Sequence, residues 1–465
     1  MDVLFVASYK DLKQRRNKAL LDHYHVQSGI SYISAVLKQA GHNTRLLVVC
    51  RNTKQQDIAS LLDSFNPGLV CFTAVYSEYE YIKQAGRQIR ALRPGLFQLA
   101  GGVHVSLDPE TAVRDGWDAV CAGEGESAVL ELVEKLAREE EILGIPNLCF
   151  YKNGELIQNP PRPFIEDLSS LPAMDREMWQ PWLAPQPQYA TILLGRGCPF
   201  NCTYCCNHVL KKLARGTYVR IRQPGEVMEE VRLLVKRHPS LVRIHFEIET
   251  IGIHSAEVME LAALLKDFNQ TLPRPLAFST NIRVMPNHDF SALAEALQAA
   301  NFESVGIGVE SGCQRVRREH LNRIYTNDDI RELVAVMRKA GIKVMAYLLI
   351  GIPGESREDF AESVALLREL QFDMLASYIV FPYPGTRMYI DAVQKGYIAG
   401  PANFAQERTR ATMVLPGFSR KQIEREFDWL LYKVYKGHWP IFILLYSVML
   451  RKITRWGWFG LIHLG

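Results

Sequence analysis

The sequence carries almost no excess of charge of either sign, because 54 lysine and arginine residues face 50 aspartate and glutamate residues. A protein dedicated to duplex DNA or RNA normally shows a strong basic excess, so no nucleic-acid partner is expected. Cysteine is also scarce, with 9 residues in 465, which excludes a small secreted scaffold held by disulfides. The N-terminus shows no signal-peptide pattern, and a reducing cytoplasm is the expected location.

What the sequence does have is an ordinary globular composition on a long chain. At roughly 100 to 200 residues per domain, its length predicts two to four domains. Apolar residues make up 48% and charged residues 22% of the chain, which excludes an intrinsically disordered protein.

Residues 1–150 predict a doubly wound, Rossmann-like α/β domain. Short apolar runs at 3–7, 44–49, 69–73, 98–101 and 119–122 alternate with amphipathic stretches, as in a parallel sheet wound with helices. Glycines follow two of these runs, at Gly101-Gly102 and Gly123-Glu124. In such a sheet the carboxyl edge is where ligands bind, although glycine is also the usual residue of a tight turn.

A proline-rich segment, 151–188, predicts a linker, because proline interrupts both helices and inner strands. Residues 189–400 then repeat six βα units, with strands expected at 191–194, 242–246, 275–279, 305–309, 344–350 and 376–381. Six such units predict a partial (β/α)6 barrel with its active site at the carboxyl ends of the strands. Residues 401–465 are expected to form a helical C-terminal region.

Three cysteines follow the first strand of this second array in the pattern C-x3-C-x2-C, at Cys198, Cys202 and Cys205. Thiolates at this spacing favour one soft metal centre, and three of them would leave one iron of a 4Fe-4S cluster open for substrate or cofactor. The alternative is structural zinc, which prefers four ligands and would be completed by Cys206 or His208.

Together with later turns, this motif resembles the radical S-adenosylmethionine (AdoMet) superfamily. The matching features are the cysteine loop after a first barrel strand, Tyr204 within it, the Gly-Ile-Gly-Val-Glu310 segment and the Gly351-Ile-Pro-Gly354-Glu turn. The resemblance implies that AdoMet binds the open iron and is cleaved by an electron from the cluster, giving a 5′-deoxyadenosyl radical. It also implies that Tyr204 lies against the adenine, that Glu310 bonds the ribose or amino group, and that Gly351 and Gly354 let the backbone approach the adenine.

The N-terminal domain resembles the cobalamin-binding domains found in one subgroup of this superfamily. Thr73, Gly101 and Gly102 match glycine-rich and threonine elements of that fold, and the Gly123-Glu124 turn matches a third. The resemblance implies cobalamin as a further cofactor bound by these residues.

One departure concerns the cobalt ligand. Cobalamin domains that ligate cobalt from below carry Asp-x-His-x-x-Gly after the first strand, whereas this chain has Ser-Tyr-Lys-Asp-Leu-Lys at 8–13. We therefore expect cobalamin without a histidine ligand. His23, His25 and His104 are the candidate substitutes, but a lone histidine is more often a hydrogen-bonded structural residue.

Several other residues have simpler interpretations. Cys50, Cys71, Cys121 and Cys149 lie in or beside apolar strands and are expected to fill the core. Arg283, after the third barrel strand, is expected in a surface ion pair.

The tail from His438 combines an apolar run with tryptophan and flanking lysine and arginine residues. The run falls short of the ~20 residues that span a bilayer. It is typical either of a segment that lies in a membrane interface, which would place the protein peripherally at the inner face, or of a terminal helix that covers the barrel; both interpretations stay open.

The preferred function is cobalamin-dependent methylation of an unactivated carbon or phosphorus centre in a small or lipid-like substrate, with methylcobalamin as the donor. The alternatives are a radical cyclase or rearrangement enzyme for a porphyrin- or isoprenoid-type substrate, and a noncatalytic cobalamin or cluster sensor. A flavodoxin or ferredoxin is the expected electron donor.

Overall fold

The computed structural model describes residues 1–9, 25–50, 52–249, 251–253, 255–398 and 407–455, and the account below concerns these. It divides into two compact units. The first comprises Met1–Pro199, Cys206–Arg222 and Arg232–Leu241, and the second comprises Phe200–Cys205, Gln223–Val231 and the chain from Val242 onward. His23 and most of the 8–13 segment lie outside the described residues.

The first unit is a twisted sheet wound with helices. Its strands are β1 Asp2–Ser8, β2 Asn43–Val49, β3 Leu69–Thr73, β4 Phe97–Gly101, β5 Ala119–Cys121, β6 Leu148–Lys152, β7 Glu155–Gln158, β8 Tyr189–Leu193, β9 Gly195–Arg196 and β10 Arg220–Ile221. Its helices are α1 Ser28–Gln39, α2 Gln55–Phe65, α3 Tyr79–Leu92, α4 Val103–Leu107, α5 Pro109–Val113, α6 Glu126–Ala137 and α7 Asn207–Leu210.

The main sheet has the order β2-β1-β3-β4-β5-β6-β7. Strands β1 to β5 are parallel, and β6 and β7 are added antiparallel. This is the strand order of flavodoxin-like doubly wound folds, so the Rossmann-like prediction is confirmed. All five predicted strands are present, because each is an apolar run that is buried on both faces.

The predicted linker is more ordered than its prolines suggest. Residues 151–158 form most of the β6–β7 hairpin, whose turn holds Asn153 and Gly154 at φ 55° and 85°, as an Asn-Gly hairpin turn requires. Further along, Trp179 is fully buried in the core of the first unit, and its indole N–H donates to Ser31 Oγ at 2.8 Å. A large buried aromatic outweighs local proline because its burial contributes several times the energy of a single turn.

The second unit contains the remaining strands, which are β11 Arg243–Glu247, β12 Ala277–Ile282, β13 Phe302–Glu310, β14 Lys343–Ile350 and β15 Met374–Ile379. They pair in chain order and all are parallel. Together with β8 they are the six strands predicted for the barrel.

Helices alternate with these strands and continue beyond them. They are α8 Pro224–Arg237, α9 Ser255–Thr271, α10 Ser291–Ala299, α11 Gln314–His320, α12 Asn327–Lys339, α13 Arg357–Leu370, α14 Arg387–Gln394, α15 Arg420–Tyr435 and α16 Ile441–Arg455. Thr326, Ser356 and Ser419 begin α12, α13 and α15 with reciprocal side-chain caps. Within the described part of the chain, none of the helices combines the length and apolar character needed to cross a bilayer.

Candidate functional site

The carboxyl edge of the first sheet brings the predicted cobalamin residues of β3 and β4 together. Thr73 and Gly101 are paired neighbours in the sheet, and Gly102 follows with φ 99°. A β-carbon at Gly102 would lie 2.6 Å from the carbonyl oxygen of Ala74. Only glycine fits both this conformation and this approach, so Gly102 keeps the two strand ends close and free of side chains.

Ser106 joins this edge to the next turn, although nothing in the sequence pattern singles it out. The backbone N–H of Gly123 donates to Ser106 Oγ at 3.0 Å, and the same hydroxyl donates to the Gly102 carbonyl at 2.9 Å. The turns after β4 and β5 are therefore connected through one buried hydroxyl.

Glu124 is held by two guanidinium groups. Its carboxylate lies 3.0 Å from Arg196 and 2.9 Å from Arg220, and it accepts the backbone N–H of Ile165 at 2.8 Å. Burial by itself would raise the pKa of this carboxyl, but the Arg220 hydrogen bond and the Arg196 charge bring it below its usual range. Since both oxygens are engaged, Glu124 ties its turn to the segments around 165, 196 and 220; its contact with cofactor stays a prediction.

His104, one candidate cobalt ligand, packs between two tyrosine rings. Its ring centroid lies 5.2 Å from that of Tyr76 and 4.1 Å from that of Tyr79. Burial lowers its pKa to about 4, which keeps the imidazole neutral. This environment is that of a structural histidine.

The cysteine motif lies in the loop that follows β8 and β9. Cys198 and Cys202 are buried, Cys205 is half-buried, and all three are free thiols. The Cys205 N–H donates to the Cys202 carbonyl at 3.2 Å, which closes a tight turn between these two cysteines. By contrast, the four cysteines expected in the core are at most 7% exposed, as predicted: Cys50, Cys71, Cys121 and Cys149.

Arg283 contacts the cysteine loop directly, and its expected place in a surface ion pair is wrong. Its guanidinium stacks over the Phe200 ring at 3.6 Å and donates from Nη1 to Cys202 Sγ at 3.3 Å. A cation beside the sulfur stabilises the thiolate, and N–H donors to cysteine sulfur are what iron-sulfur sites use to adjust their potential. Three reduced thiols with such a donor fit an iron-sulfur cluster.

Backbone hydrogen bonds attach the same loop to the end of α11. Thr203 donates its hydroxyl to the His320 carbonyl at 2.6 Å and its N–H to the Leu321 carbonyl at 3.3 Å. Asn322 Nδ2 donates to the Asn201 carbonyl at 2.9 Å. The cysteine loop is therefore held by main-chain geometry as well as by its side chains.

Tyr204 and Glu310, two of the predicted AdoMet residues, are in contact. The Tyr204 hydroxyl donates to Glu310 Oε1 at 2.9 Å and accepts from Arg323 at 2.6 Å, while Arg323 and Glu310 pair at 3.0 Å. Burial raises the pKa of Tyr204, so the phenol stays protonated and donates to the carboxylate. The pattern of the sequence gave no signal for Arg323, whose partners are far away along the chain.

The backbone at Glu310 is bent to make this contact. Glu310 has φ 59°, an unfavourable value for a residue with a side chain, at an irregularity in the pairing of β13 with β14. A β-carbon at Gly308 would lie 2.5 Å from Glu310 Oε1 and 2.9 Å from Arg323. Glycine at 308 thus makes room for the ion pair.

The turn after β14 is also closed from within. Gly351 and Gly354 have φ values of 78° and 89°, and the Glu355 carboxylate accepts the N–H groups of Gly351 and Ile352 at 2.8 and 3.2 Å. A β-carbon at Gly354 would lie 2.3 Å from the His320 ring. The two glycines are therefore required by the turn itself, and their approach to adenine stays a prediction.

Cys313 was left open as a functional thiol. It is buried, and its thiol donates to Asp359 at 3.1 Å. Asp359 also accepts the Ser356 N–H at 2.8 Å and pairs with Arg315 at 2.7 Å. These bonds cap α13, so the contact of Cys313 is explained by packing and capping.

Comparisons with known proteins agree with this geometry. The Radical SAM superfamily model matches residues 192–367, and the B12 binding domain model matches residues 18–133. An uncharacterized methyltransferase of Pyrococcus horikoshii is 25% identical over 88% of this chain and 86% of its own length. The anaerobic magnesium-protoporphyrin IX monomethyl ester cyclase of Rubrivivax gelatinosus is 23% identical over 77% of this chain and 65% of its own length.

A solved structure has the same fold. The radical AdoMet methyltransferase TsrM of Kitasatospora setae, with cobalamin and a [4Fe-4S] cluster bound, superposes with a TM-score of 0.67 at 19% identity, covering 92% of this chain and 81% of its own. The doubly wound domain and the barrel therefore occur in the same order in a protein that holds both cofactors.

The first prediction concerns the cluster ligands. Alanine at Cys198, Cys202 or Cys205 is expected to abolish bound iron and the brown absorbance after anaerobic reconstitution, because each removes one of three thiolates. Cys206→Ala is the matched control and is expected to retain iron. Loss of metal in Cys206→Ala, or zinc in place of iron in the wild type, would contradict the cluster.

A second prediction concerns Arg283. Arg283→Met removes the N–H donor to Cys202, so the cluster is expected to have a more negative midpoint potential, measured by redox titration with electron paramagnetic resonance. Arg243→Met, at a surface arginine paired with Glu303, is the control. A potential equal to that of the wild type would show that the contact with sulfur has no electronic effect.

A third prediction concerns the pH dependence of stability. Burial raises the pKa of Glu355 to about 8, whereas an unfolded glutamate titrates near ~4.3. The folded state therefore holds the extra proton between these values, and stability falls as pH rises through this window. Glu355→Gln keeps an acceptor oxygen and lacks the titration.

The melting temperature of Glu355→Gln relative to wild type is thus expected to rise steadily from pH 5 to pH 8.5. Glu358→Gln, at an exposed position of the same helix, is the control and should show no such trend. A difference between Glu355→Gln and wild type that stays constant or shrinks with pH would mean that Glu355 is ionised in the folded protein.

Proposed function

We propose that this chain, which belongs to the radical S-adenosylmethionine superfamily and carries an N-terminal B12-binding domain, methylates an unactivated carbon or phosphorus centre of a small or lipid-like substrate. The observation that carries the proposal is the presence of both halves of the machinery on one chain. A glycine-lined sheet edge precedes a barrel whose first loop presents three reduced thiols. Two relatives on either side of the same chemistry, a methyltransferase and a methyl ester cyclase, match most of the chain.

The cofactors supply the chemistry and the protein supplies orientation. When bound, the cluster provides the electron that cleaves AdoMet, and cobalamin carries the methyl group. Cys198, Cys202 and Cys205 would hold the cluster, and Thr73, Gly101, Gly102 and Gly123 would form the backbone surface that faces cobalamin.

Within the second unit, this chain's residues perform three tasks. Arg283 stabilises negative charge on the Cys202 sulfur. Arg323 fixes the Glu310 carboxylate in its unfavourable backbone conformation, so that the free oxygen is available to hydroxyl or ammonium donors of AdoMet. Tyr204 keeps its proton at the phenol oxygen and links the cysteine loop to that carboxylate.

Two partners follow from the proposal. An external one-electron donor, a flavodoxin or a ferredoxin, would reduce the cluster. A contact with the membrane surface would suit a lipid-like substrate, and the C-terminal helices that could make it are considered separately below. The predicted location stays a reducing compartment, because the cluster thiols must remain reduced.

The fourth prediction separates methylation from cyclisation without knowledge of the substrate. The reconstituted protein is incubated anaerobically with cobalamin, a strong reductant and AdoMet labelled with deuterium in the methyl group. A methyltransferase is expected to release S-adenosylhomocysteine and to place the labelled methyl on cobalamin, alongside 5′-deoxyadenosine from reductive cleavage. Mass spectrometry measures all three.

Cys202→Ala is the control for the radical half and is expected to give no 5′-deoxyadenosine. Formation of 5′-deoxyadenosine with no S-adenosylhomocysteine and no labelled cobalamin would favour a radical cyclase or rearrangement enzyme. Absence of every product from a protein with full iron and cobalamin content would support the sensor interpretation.

A further inference from the structure

The last described helix, α16, has one apolar face that no residue of the described chain covers. Five large side chains form this face, which is named here the α16 stripe: Ile441, Phe442, Leu445, Tyr446 and Met449. They are 46% to 70% exposed. Their spacing of one, three and four residues places them side by side along the helix.

The opposite face of α16 is buried against α15. Leu444, Ser447 and Val448 are at most 6% exposed, and Arg451 points the same way, donating to the Phe427 carbonyl at 2.7 Å. The helix therefore has a fixed orientation, and the stripe is not the face that folding uses. Its exposure needs another explanation, because scattered apolar residues are common on surfaces but a contiguous row marks a contact site.

Aromatic rings and lysines border the stripe. Lys452 lies one turn beyond Met449 on the same side and sits 5.7 Å from the Trp429 ring, and Lys436 lies 5.7 Å from the Tyr432 ring. Trp429 and Tyr432 contact each other edge to face, with centroids 5.3 Å apart. The sequence of α16 contains no aspartate or glutamate.

An apolar row with ammonium groups and amphipathic rings at its border matches one surface in particular. The interface of a bilayer offers acyl chains to the row, headgroup-level sites to the rings, and negative charge to the lysines when the lipids are anionic. A protein partner would be expected to present carboxylates to these lysines, but it would not require the rings at the border.

We propose that the α16 stripe docks this protein on the surface of an anionic lipid membrane, with α16 lying in the plane of the interface. This contact is independent of the methylation chemistry and stands or falls without it. It would bring the barrel to the surface where a lipid-like substrate resides.

The fifth prediction tests the docking by sedimentation of the full chain with liposomes. Wild type is expected to pellet with vesicles of phosphatidylcholine and phosphatidylglycerol, several-fold more than with phosphatidylcholine alone, and to be released by high salt. The double variant Phe442→Glu, Leu445→Glu is expected to lose at least five-fold in bound fraction on the anionic vesicles. Lys436→Ala with Lys452→Ala is expected to lose the preference for anionic lipid.

Leu233→Glu is the matched control, since Leu233 is an equally exposed apolar residue, at 60%, on α8; it is expected to bind like wild type. Melting temperature and iron content of every variant establish that the fold and cluster are intact. Equal binding of wild type and the double variant would overturn the proposal. A wild-type dimer in solution that the double variant converts to monomer would also overturn it, by assigning the stripe to a second copy of the chain.

Discussion

The buried ion pair between Arg323 and Glu310 is the constraint on which the barrel site depends. Both side chains are nearly inaccessible to solvent, at 10% and 9%, and a buried charge that loses its partner costs several kcal/mol, about 3 to 5. The pair therefore enforces whatever backbone brings it together. Here that backbone includes a positive φ at Glu310, a pairing irregularity in β13 and a glycine at 308.

Tyr204 extends this constraint to the cysteine loop. Its hydroxyl bonds both members of the pair, so the loop cannot move without breaking a charge-assisted hydrogen bond. Arg283 holds the same loop from another strand end through Phe200 and Cys202. Two arginines from distant parts of the chain thus position the loop that presents the thiols, which is the kind of preorganisation that a redox site requires.

The edge of the first sheet is built on the opposite principle. It excludes side chains, through Gly102, and connects its turns with the single hydroxyl of Ser106. A large planar cofactor needs a smooth backbone surface, whereas a small charged one needs fixed donors and acceptors. The two halves of the chain differ in just this respect.

Local patterns were sufficient for much of the architecture. The alternation of apolar runs with amphipathic stretches predicted the doubly wound sheet and all six barrel strands, because burial of a strand or helix face is written in the periodicity of the residues themselves. The spacing of Cys198, Cys202 and Cys205 indicated the metal site, because ligands on one loop lie close in sequence. Contacts that join distant segments left no such trace.

Arg323 and Ser106 are ordinary residues in their local sequence and gain their roles only when strands far apart in the chain become neighbours. The same reason explains the two errors of emphasis. Arg283 looked like a surface cation until folding brought Phe200 beneath it, and the proline-rich segment looked like a loose linker until Trp179 found a core to enter. The sequence determined which elements form and which thiols can hold a metal, since both depend on neighbours within a few residues. Tertiary structure decided which charges hold those thiols in place, because long-range packing selects partners that no local pattern contains.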